Sequence, residues 1–116
     1  MTNANEHFGS GNGSENFYQH NLLPIVYTDG VKEMAEACGA YWLIDLVISL
    51  QLSREVRSQL FQVWELKRMK DDAFYIIATD GNNKQIASHQ IPFSDFRYDM
   101  ATLWLVDSCL MLPKEY

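Results

Sequence analysis

The sequence predicts an α+β domain in which two main N-terminal helices pack on one face of an antiparallel sheet of about four strands. Two observations predict this class. Apolar residues recur at helical spacing in the first half of the chain, whereas aromatic and branched residues form short runs separated by turn signals in the second half. Helices followed by a run of strands are typical of α+β domains. Short links between the strands make a meander the simplest topology.

The first predicted helix covers about residues 31–38. Thr28 or Asp29 can cap it by accepting hydrogen bonds from unpaired backbone N–H groups, and Gly39 is suited to end it. One face of this helix is apolar, because its apolar residues fall at positions i, i+3, i+4 and i+7: Val31, Met34, Ala35 and Cys38.

The second predicted helix, residues 40–52, is apolar on nearly every side, with Asp45 and Ser49 as its polar interior residues. A helix of this kind is buried on most sides. The sheet can cover one side, so the N-terminal segment or a second copy of the chain must cover the other. We therefore expect the protein to self-associate as a homodimer.

Four strands are predicted after a short helical piece at 54–59. Proline at position 92 ends the third strand, because proline cannot donate to the backbone ladder. The turn between the second and third strands has the sequence Asp80-Gly81-Asn82-Asn83, which is typical of a hairpin. The predicted strands are residues 61–69, 73–79, 84–91 and 102–106.

Composition excludes several classes of protein. The chain has 116 residues, of which 47% are hydrophobic, so it is too apolar for a disordered protein. No apolar run reaches about 18 residues, so we expect no membrane-spanning helix. The formal net charge of -6 disfavours nucleic-acid binding, which depends on neutralising phosphates. Residues 54–70 carry the opposite, positive balance; they are either a solvated sheet edge or a small basic patch for an acidic partner.

The ends and the cysteines predict one domain in the cytoplasm. Residues 1–16 are polar and lack the features of a secretory signal, so we expect a flexible N-terminal arm before a single domain at 17–116. The cysteines Cys38 and Cys109 lie far apart in apolar surroundings. Two reduced thiols in a cytoplasmic protein are the simplest interpretation.

Six short strings stand in order along the sequence. They are Tyr18-x-His20, Tyr27-Thr28-Asp29-Gly30-Val31, Gly39-Ala40-Tyr41-Trp42-Leu43-x-Asp45, Phe61-Gln62-x-Trp64-x-Leu66, Ile91-Pro92-Phe93-x-Asp95-Phe96 and Leu112-Pro113-x-Glu115-Tyr116. Taken together, they resemble a family of small bacterial proteins of unknown function that are often carried on plasmids and phages. The resemblance covers about residues 17–116 and implies a stand-alone domain of a mobile genetic element, but no reaction. In that family a proline tends to follow the Asp-Phe pair, where this sequence has Arg97.

Four polar residues are candidates for a functional site: His20, Asp45, Asp29 and Asp95. Asp45 stands out, because a carboxylate inside a nearly apolar helix must be paired, hydrogen-bonded or placed in a cleft. His20 starts the folded region and could act as an acid or base. Asp29 is expected to be a helix cap, and Asp95 a turn or cap residue. Their spacing does not require a metal site, and we expect no cofactor.

The aromatic residues give a second candidate site. Trp42, Trp64 and Trp104 belong to three different predicted elements, and Tyr18 and Tyr41 lie close in sequence to the polar candidates. Large aromatic residues build cores, but Trp and Tyr are also enriched where proteins bind each other. We expect either a shared core or a patch for a partner.

The sequence lacks the usual catalytic motifs, such as a phosphate-binding loop or a zinc-binding HExxH. The leading hypothesis is a non-enzymatic protein-interaction module of a mobile element, which binds itself or another protein. A small ligand-binding or hydrolytic domain with Asp45 and His20 in a pocket is the alternative. A further alternative is an acidic inhibitor that mimics nucleic acid.

Overall fold

A seven-stranded mixed sheet forms the centre of the molecule. The structure, a computed structural model, describes residues 1–9, 14–21 and 23–116. The strands follow the order β1-β2-β7-β6-β3-β4-β5, and every neighbouring pair is antiparallel except β2 and β7, which are parallel. The strands are β1 (Phe17–Gln19), β2 (Val26–Thr28), β3 (Phe61–Lys70), β4 (Ala73–Thr79), β5 (Gln85–Ile91), β6 (Met100–Val106) and β7 (Cys109–Met111).

Three α-helices accompany the sheet in the described residues. They are α1 (Asp29–Cys38), α2 (Tyr41–Ser49) and the single turn α3 (Arg54–Arg57), and short 3₁₀ helices cover Ala4–Glu6, Leu50–Leu52 and Pro113–Glu115. None of the helices in the described ranges is long and apolar enough to cross a lipid bilayer.

The predicted fold class was wrong. The sheet has seven strands rather than about four, it is mixed rather than antiparallel, and its helices are three short ones rather than two main ones. The error has a physical cause, because β1, β2 and β7 are only three residues long and cannot show an alternating pattern. The parallel pair joins Val26 to Cys109 and Tyr27 to Leu110, a contact between distant parts of the chain that local pattern does not encode.

Local chemistry sets both ends of α1. The Thr28 hydroxyl oxygen accepts a hydrogen bond from the backbone N–H of Val31, which makes Thr28 the N-cap. Gly39 follows the last turn with φ of 60°, the left-handed conformation that glycine adopts at little cost. The Arg97 guanidinium donates to the carbonyl oxygen of Ala37 in the last turn.

Helix α2 is covered on one side rather than all round. Its buried residues are Leu43, Ile44, Val47 and Ile48. Asp45 lies on the outer side with its side chain 69% exposed, so the expectation that this helix is buried on most sides was wrong. Since α2 does not need to be covered on two sides, it no longer supports the expectation that the protein self-associates.

One face of the sheet carries the core. Burial alternates along β3, β4 and β6, so every second residue is buried. Trp64, Phe74 and Leu103 lie on this covered face and pack in one cluster with the apolar residues of α1 and α2. The alternate residues on the other side are only half-buried, and we call that side the open face.

A buried pair of glutamines joins the helices to the covered face. Gln51 and Gln62 exchange two amide hydrogen bonds, of 2.8 and 2.9 Å. The Gln62 carbonyl oxygen also accepts from the Trp64 indole N–H, at 2.9 Å, and its amide donates to the backbone oxygen of Val56, at 2.8 Å. Because a buried unpaired amide would be destabilising, this network specifies how the 50–57 segment sits on β3.

The N-terminal residues pack onto the domain where they are described. Ala4 and Phe8 belong to the buried core, and Asn5 exchanges hydrogen bonds with the backbone of Thr102 in β6. The boundary expected at residue 16 therefore does not coincide with a break in packing. Residues 10–13 of the expected arm lie outside the described residues.

The C-terminal Glu115 holds the start of α1. Its carboxylate accepts hydrogen bonds from the Thr28 hydroxyl at 2.6 Å, the Gly30 backbone N–H at 3.1 Å and the Leu112 backbone N–H at 2.9 Å. A carboxylate at this position satisfies unpaired N–H groups and complements the helix dipole. A Cβ on Gly30 would lie 2.7 Å from a Glu115 carboxylate oxygen, so an added methyl group would displace this carboxylate.

We predict that Gly30→Ala destabilises the protein by about 1 kcal/mol, because the added methyl displaces the carboxylate and its charged hydrogen bonds. In a Glu115→Ala background the same change should be neutral or stabilising, since alanine is the better helix former. Urea denaturation of the four proteins in this double-mutant cycle measures the coupling. Equal effects of Gly30→Ala in both backgrounds would contradict this role of Glu115.

Candidate binding cleft

His20 and Asp45 form a hydrogen-bonded pair. His20 Nε2 lies 2.8 Å from Asp45 Oδ1, and the side chains are 11% and 69% exposed. An ionised carboxylate can only accept, so the imidazole Nε2 carries the hydrogen in this pair. The residues are 25 positions apart in sequence, and the structure brings these two sequence-predicted candidates into direct contact.

The chain between β1 and β2, described at residues 20–21 and 23–25 and here called the β1–β2 segment, positions the pair together with α2. His20 follows β1 directly, and its backbone N–H donates to the carbonyl oxygen of Ile25 at 2.9 Å, which closes the chain back towards β2. Asp45 lies in the middle of α2, on the side away from the core. The β1–β2 segment and α2 thus form the two walls of a cleft, with the pair between them.

Among the described residues, those lining two cavities include both members of the pair. The larger, of about 640 Å³, has mainly apolar walls from Leu23, Ile48 and Leu52. The smaller, of about 300 Å³, includes Tyr27 and Tyr41. His20, Asn21 and Asp45 line both, so the pair separates two halves of one cleft. The larger half is within the size range of ligand pockets.

A network of tyrosines and charges borders the cleft. Tyr41 donates its hydroxyl hydrogen to Glu36 at 3.0 Å, and Lys32 pairs with the same carboxylate at 3.0 Å. Lys32 and Tyr41, in that order, hold the pKa of Glu36 below its usual value by hydrogen bonding. Desolvation, followed by the bond to Glu36, raises the pKa of Tyr41. The Tyr41 ring is therefore held in place beside the smaller cavity.

Asp29 anchors the chain that precedes β1 rather than joining the pair. Its carboxylate accepts from the Tyr18 hydroxyl at 2.9 Å and from the backbone N–H groups of Glu15 and Asn16 at 3.1 Å each. Thr28, not Asp29, provides the N-cap of α1. Desolvation would raise the pKa of Asp29, but the hydrogen bonds from Tyr18 and the two backbone groups outweigh it and lower that pKa.

Asp95 does not join the other polar candidates. It is exposed in the loop between β5 and β6, and it lines neither half of the cleft as far as the described residues show. The neighbouring Ser94 hydroxyl accepts from the Phe96 backbone N–H, so serine performs the turn role expected of Asp95.

The aromatic candidates do not form one patch. Trp64 is fully buried on the covered face, whereas Trp104 lies on the open face, with ring centroids 5.2 Å from Phe61 and 5.6 Å from Tyr116. Trp42 is partly buried against the core. Tyr18 and Tyr41 are linked through two charged residues of α1. The Lys32 ammonium lies 4.7 Å from the Tyr18 ring centroid and pairs with Glu36, whose carboxylate accepts the hydrogen bond from Tyr41.

Sequence reasoning missed the structural roles of Glu115, Gln51 and Gln62. A signal was available for Gln62, because it shares the alternation phase of Trp64 and Leu66 in β3 and must therefore face the core. No comparable local signal exists for Glu115, whose partners are at least 85 residues away apart from Leu112.

The geometry of the pair is suited to binding. Ser49 lines the larger half of the cleft but donates its hydroxyl hydrogen to the Leu46 carbonyl oxygen at 2.8 Å, so it is not activated by His20 in this arrangement. Within residues 1–9, 14–21 and 23–116, no group of three or more His, Cys, Asp or Glu side chains is arranged to hold a metal ion.

Local acids balance part of the basic segment 54–70. Arg68 Nε donates to Asp99 at 2.9 Å, Arg68 also pairs with Asp72 at 3.2 Å, and its guanidinium lies 4.5 Å from the Phe74 ring centroid. Lys67 lies 4.0 Å from Glu65. These contacts favour a structural interpretation of this half of the segment over a basic docking patch.

Comparison with known proteins places the chain in a family without assigning an activity. Residues 2–116 match the profile of a family described as "Family of unknown function (DUF6876)". The chain belongs to this family. Neither a curated protein nor a solved structure matches it.

We predict that Asp29→Asn loosens residues 14–18 and speeds amide hydrogen exchange at Glu15 and Asn16. Because folding lowers the pKa of Asp29, its contribution to stability is present above the unfolded value and is lost as pH falls through the folded value. The free energy of unfolding should therefore fall less steeply with decreasing pH in Asp29→Asn than in the wild type. Asp95→Asn is the matched control and should follow the wild type. The anchoring role would be contradicted if the wild type, Asp29→Asn and Asp95→Asn lost stability with falling pH in the same way.

Proposed function

We propose that this member of the family is a non-enzymatic protein-interaction module that acts as a homodimer, with the open faces of two sheets packed together. The observation that carries the proposal is the apolar character of the open face. Strand pairing places its residues in adjacent rows, and all of the following are half-buried: Val63, Tyr75, Ile77, Met100, Trp104 and Met111.

The register arranges these residues in rows across the sheet. Val63 lies opposite Trp104, and Trp104 lies opposite Met111, so one apolar row crosses three neighbouring strands. The next two rows have a charged residue of β3 at their centre: Glu65 lies between Ile77 and Thr102, and Lys67 lies between Tyr75 and Met100. Apolar rows combined with a few polar groups are typical of a protein-binding surface.

The charges within the open face, rather than the net charge of the chain, favour a second copy as the occupant. The formal net charge of -6 by itself makes two copies repel each other. Within the paired rows of the open face the charged residues are Glu65, Lys67 and, at the end of β3 opposite Ala73, Lys70. A two-fold axis through the face can place Lys67 of each copy near Glu65 of the other, which makes the surface self-complementary.

The size of the patch predicts a weak dimer. The four strands β7, β6, β3 and β4 span roughly 19 by 23 Å, or on the order of 400 Å² per copy in projection. This is at the low end for specific interfaces. The exposed area of a single copy, 6615 Å², also agrees with the roughly 6,500 Å² expected for a compact monomer of this mass. We therefore expect a monomer that folds alone and dimerises at high concentration.

The cellular setting is part of the same proposal. The resemblance to plasmid- and phage-borne proteins supports a role in a bacterial mobile element. Both Cys38 and Cys109 are free, and desolvation raises the pKa of each thiol, which disfavours oxidation through the thiolate. This chemistry suits a cytoplasmic protein. Genes that neighbour the coding sequence test the mobile-element role, since chromosomal housekeeping neighbours in most genomes would contradict it.

Sedimentation equilibrium tests the homodimer. We expect wild-type protein to dimerise with a dissociation constant on the order of 10–100 μM, as suits a small interface. Ile77→Lys should weaken the dimer by roughly tenfold or more, because a charge would be buried between the sheets. Within one copy the new lysine can pair with Glu65, which lies opposite in register, so the monomer should still fold.

Ser58→Lys is the matched control, because it adds the same charge at an exposed position at the end of α3. It should dimerise like the wild type. The proposal fails if the wild type remains monomeric up to about 1 mM, a range that would detect even a weak complex. It also fails if Ile77→Lys and Ser58→Lys dimerise equally.

A further inference from the structure

We propose that the cleft between the β1–β2 segment and α2 binds a small organic cation, a primary ammonium group on an aromatic or aliphatic body, with the Asp45 carboxylate as its counter-ion. This inference concerns a different surface from the open face. It is independent of the homodimer.

The state of Asp45 supports an ionic ligand. Its side chain is 69% exposed, and of its two oxygens Oδ1 is occupied by His20. Oδ2 accepts no hydrogen bond from the described part of the chain, so it remains available to a ligand. An ammonium group could donate to it in a charge-assisted hydrogen bond.

The pair with His20 orients that carboxylate. The imidazole is 89% removed from solvent by the surrounding chain, whereas the carboxylate it contacts is mostly exposed. The hydrogen bond from His20 restrains the rotation of the Asp45 side chain, so the carboxylate keeps one position on the wall of the cleft. Such restraint reduces the entropy that would be lost when a ligand binds.

The charge of the lining selects a cation rather than an anion. Among the described residues that line the two halves, Asp45 is the one carboxylate, and no lysine or arginine joins it. The nearby Lys32 is engaged with Glu36 and with the Tyr18 ring. A carboxylate or phosphate ligand would therefore meet repulsion from Asp45 without a compensating cation.

The remaining walls suit an apolar body. Leu23, Ile48 and Leu52 line the larger half, and Tyr27 and Tyr41 line the smaller half. Leu52 is 69% exposed, so a ligand would cover apolar surface that now faces water. The tyrosine rings can also attract the cation through their π faces. A hydrated metal ion would use neither feature, and so the lining favours an organic cation.

The probe is phenethylammonium chloride, titrated into the full chain by calorimetry at neutral pH and low ionic strength. We expect a dissociation constant on the order of 0.1–1 mM, as for a small ligand with one ionic contact. The neutral analogue 2-phenylethanol and the anionic analogue 3-phenylpropionate share the aromatic body. Both should bind roughly tenfold more weakly or worse, because they lack the charged donor.

Variants locate the site. Asp45→Asn should weaken phenethylammonium binding by roughly tenfold, since it removes the charge and leaves the shape. Asp95→Asn removes an equal charge from an exposed loop and should bind like the wild type. Ile77→Lys should also bind like the wild type, so failure of the homodimer and failure of this site are distinguishable.

Amide chemical shifts supply a readout that needs no variant. Wild-type shifts should change with phenethylammonium at Asn21, Tyr41 and Asp45, and remain unchanged on the open face at Val63 and Ile77. The proposal is overturned by no measurable binding to the wild type, by equal affinity for the amine and the alcohol, or by shift changes confined to other surfaces. Undiminished binding to a folded Asp45→Asn protein also overturns it.

Discussion

The parallel pairing of β2 with β7 is the constraint on which the rest of the structure depends. It joins Val26 and Tyr27 to Cys109 and Leu110, and so brings the first quarter of the chain to its last residues. Glu115 reinforces this contact by binding Thr28 and Gly30 where β2 becomes α1. Without it, β3 to β7 would still form an antiparallel sheet, but β1 and β2 would have no place in it.

Both candidate functional surfaces follow from this arrangement. Since β1 and β2 extend the sheet beyond β7, the segment that connects them lies beside α2 and places His20 next to Asp45. Because the core lies on one face of the sheet, the alternate residues of β3, β4 and β6 remain on an open face. One surface is a cleft that carries a carboxylate, and the other is a sheet face with mainly apolar side chains. They suit different partners for that reason.

Local pattern in the sequence was sufficient for the long elements. The helical spacing of Val31, Met34, Ala35 and Cys38 predicts α1, and Gly39 marks its end. The runs that predict the four long strands also appear as β3 to β6. The three-residue strands could not be predicted, because they carry too few residues for a period and their order depends on contacts across the whole chain.

The candidate site was predicted for a partly incorrect reason. Asp45 attracted attention as a carboxylate in an apolar helix, yet α2 buries only one side and Asp45 faces outward. When a helix is apolar on most sides, its sequence does not show which side a neighbouring segment covers. The contact with His20 depends on the β2–β7 pairing, and the buried Gln51–Gln62 pair likewise depends on how residues 50–57 return to β3.

Nuclear Overhauser effects between β2 and β7 test the central claim most directly. The account predicts cross-strand contacts from the backbone protons of Val26 and Tyr27 to those of Cys109 and Leu110, in the pattern of a parallel pair. Antiparallel contacts there, or contacts from β7 to β6 alone, would contradict it. Contacts from β7 to β6 alone would remove β1 and β2 from the sheet and separate the two walls of the cleft.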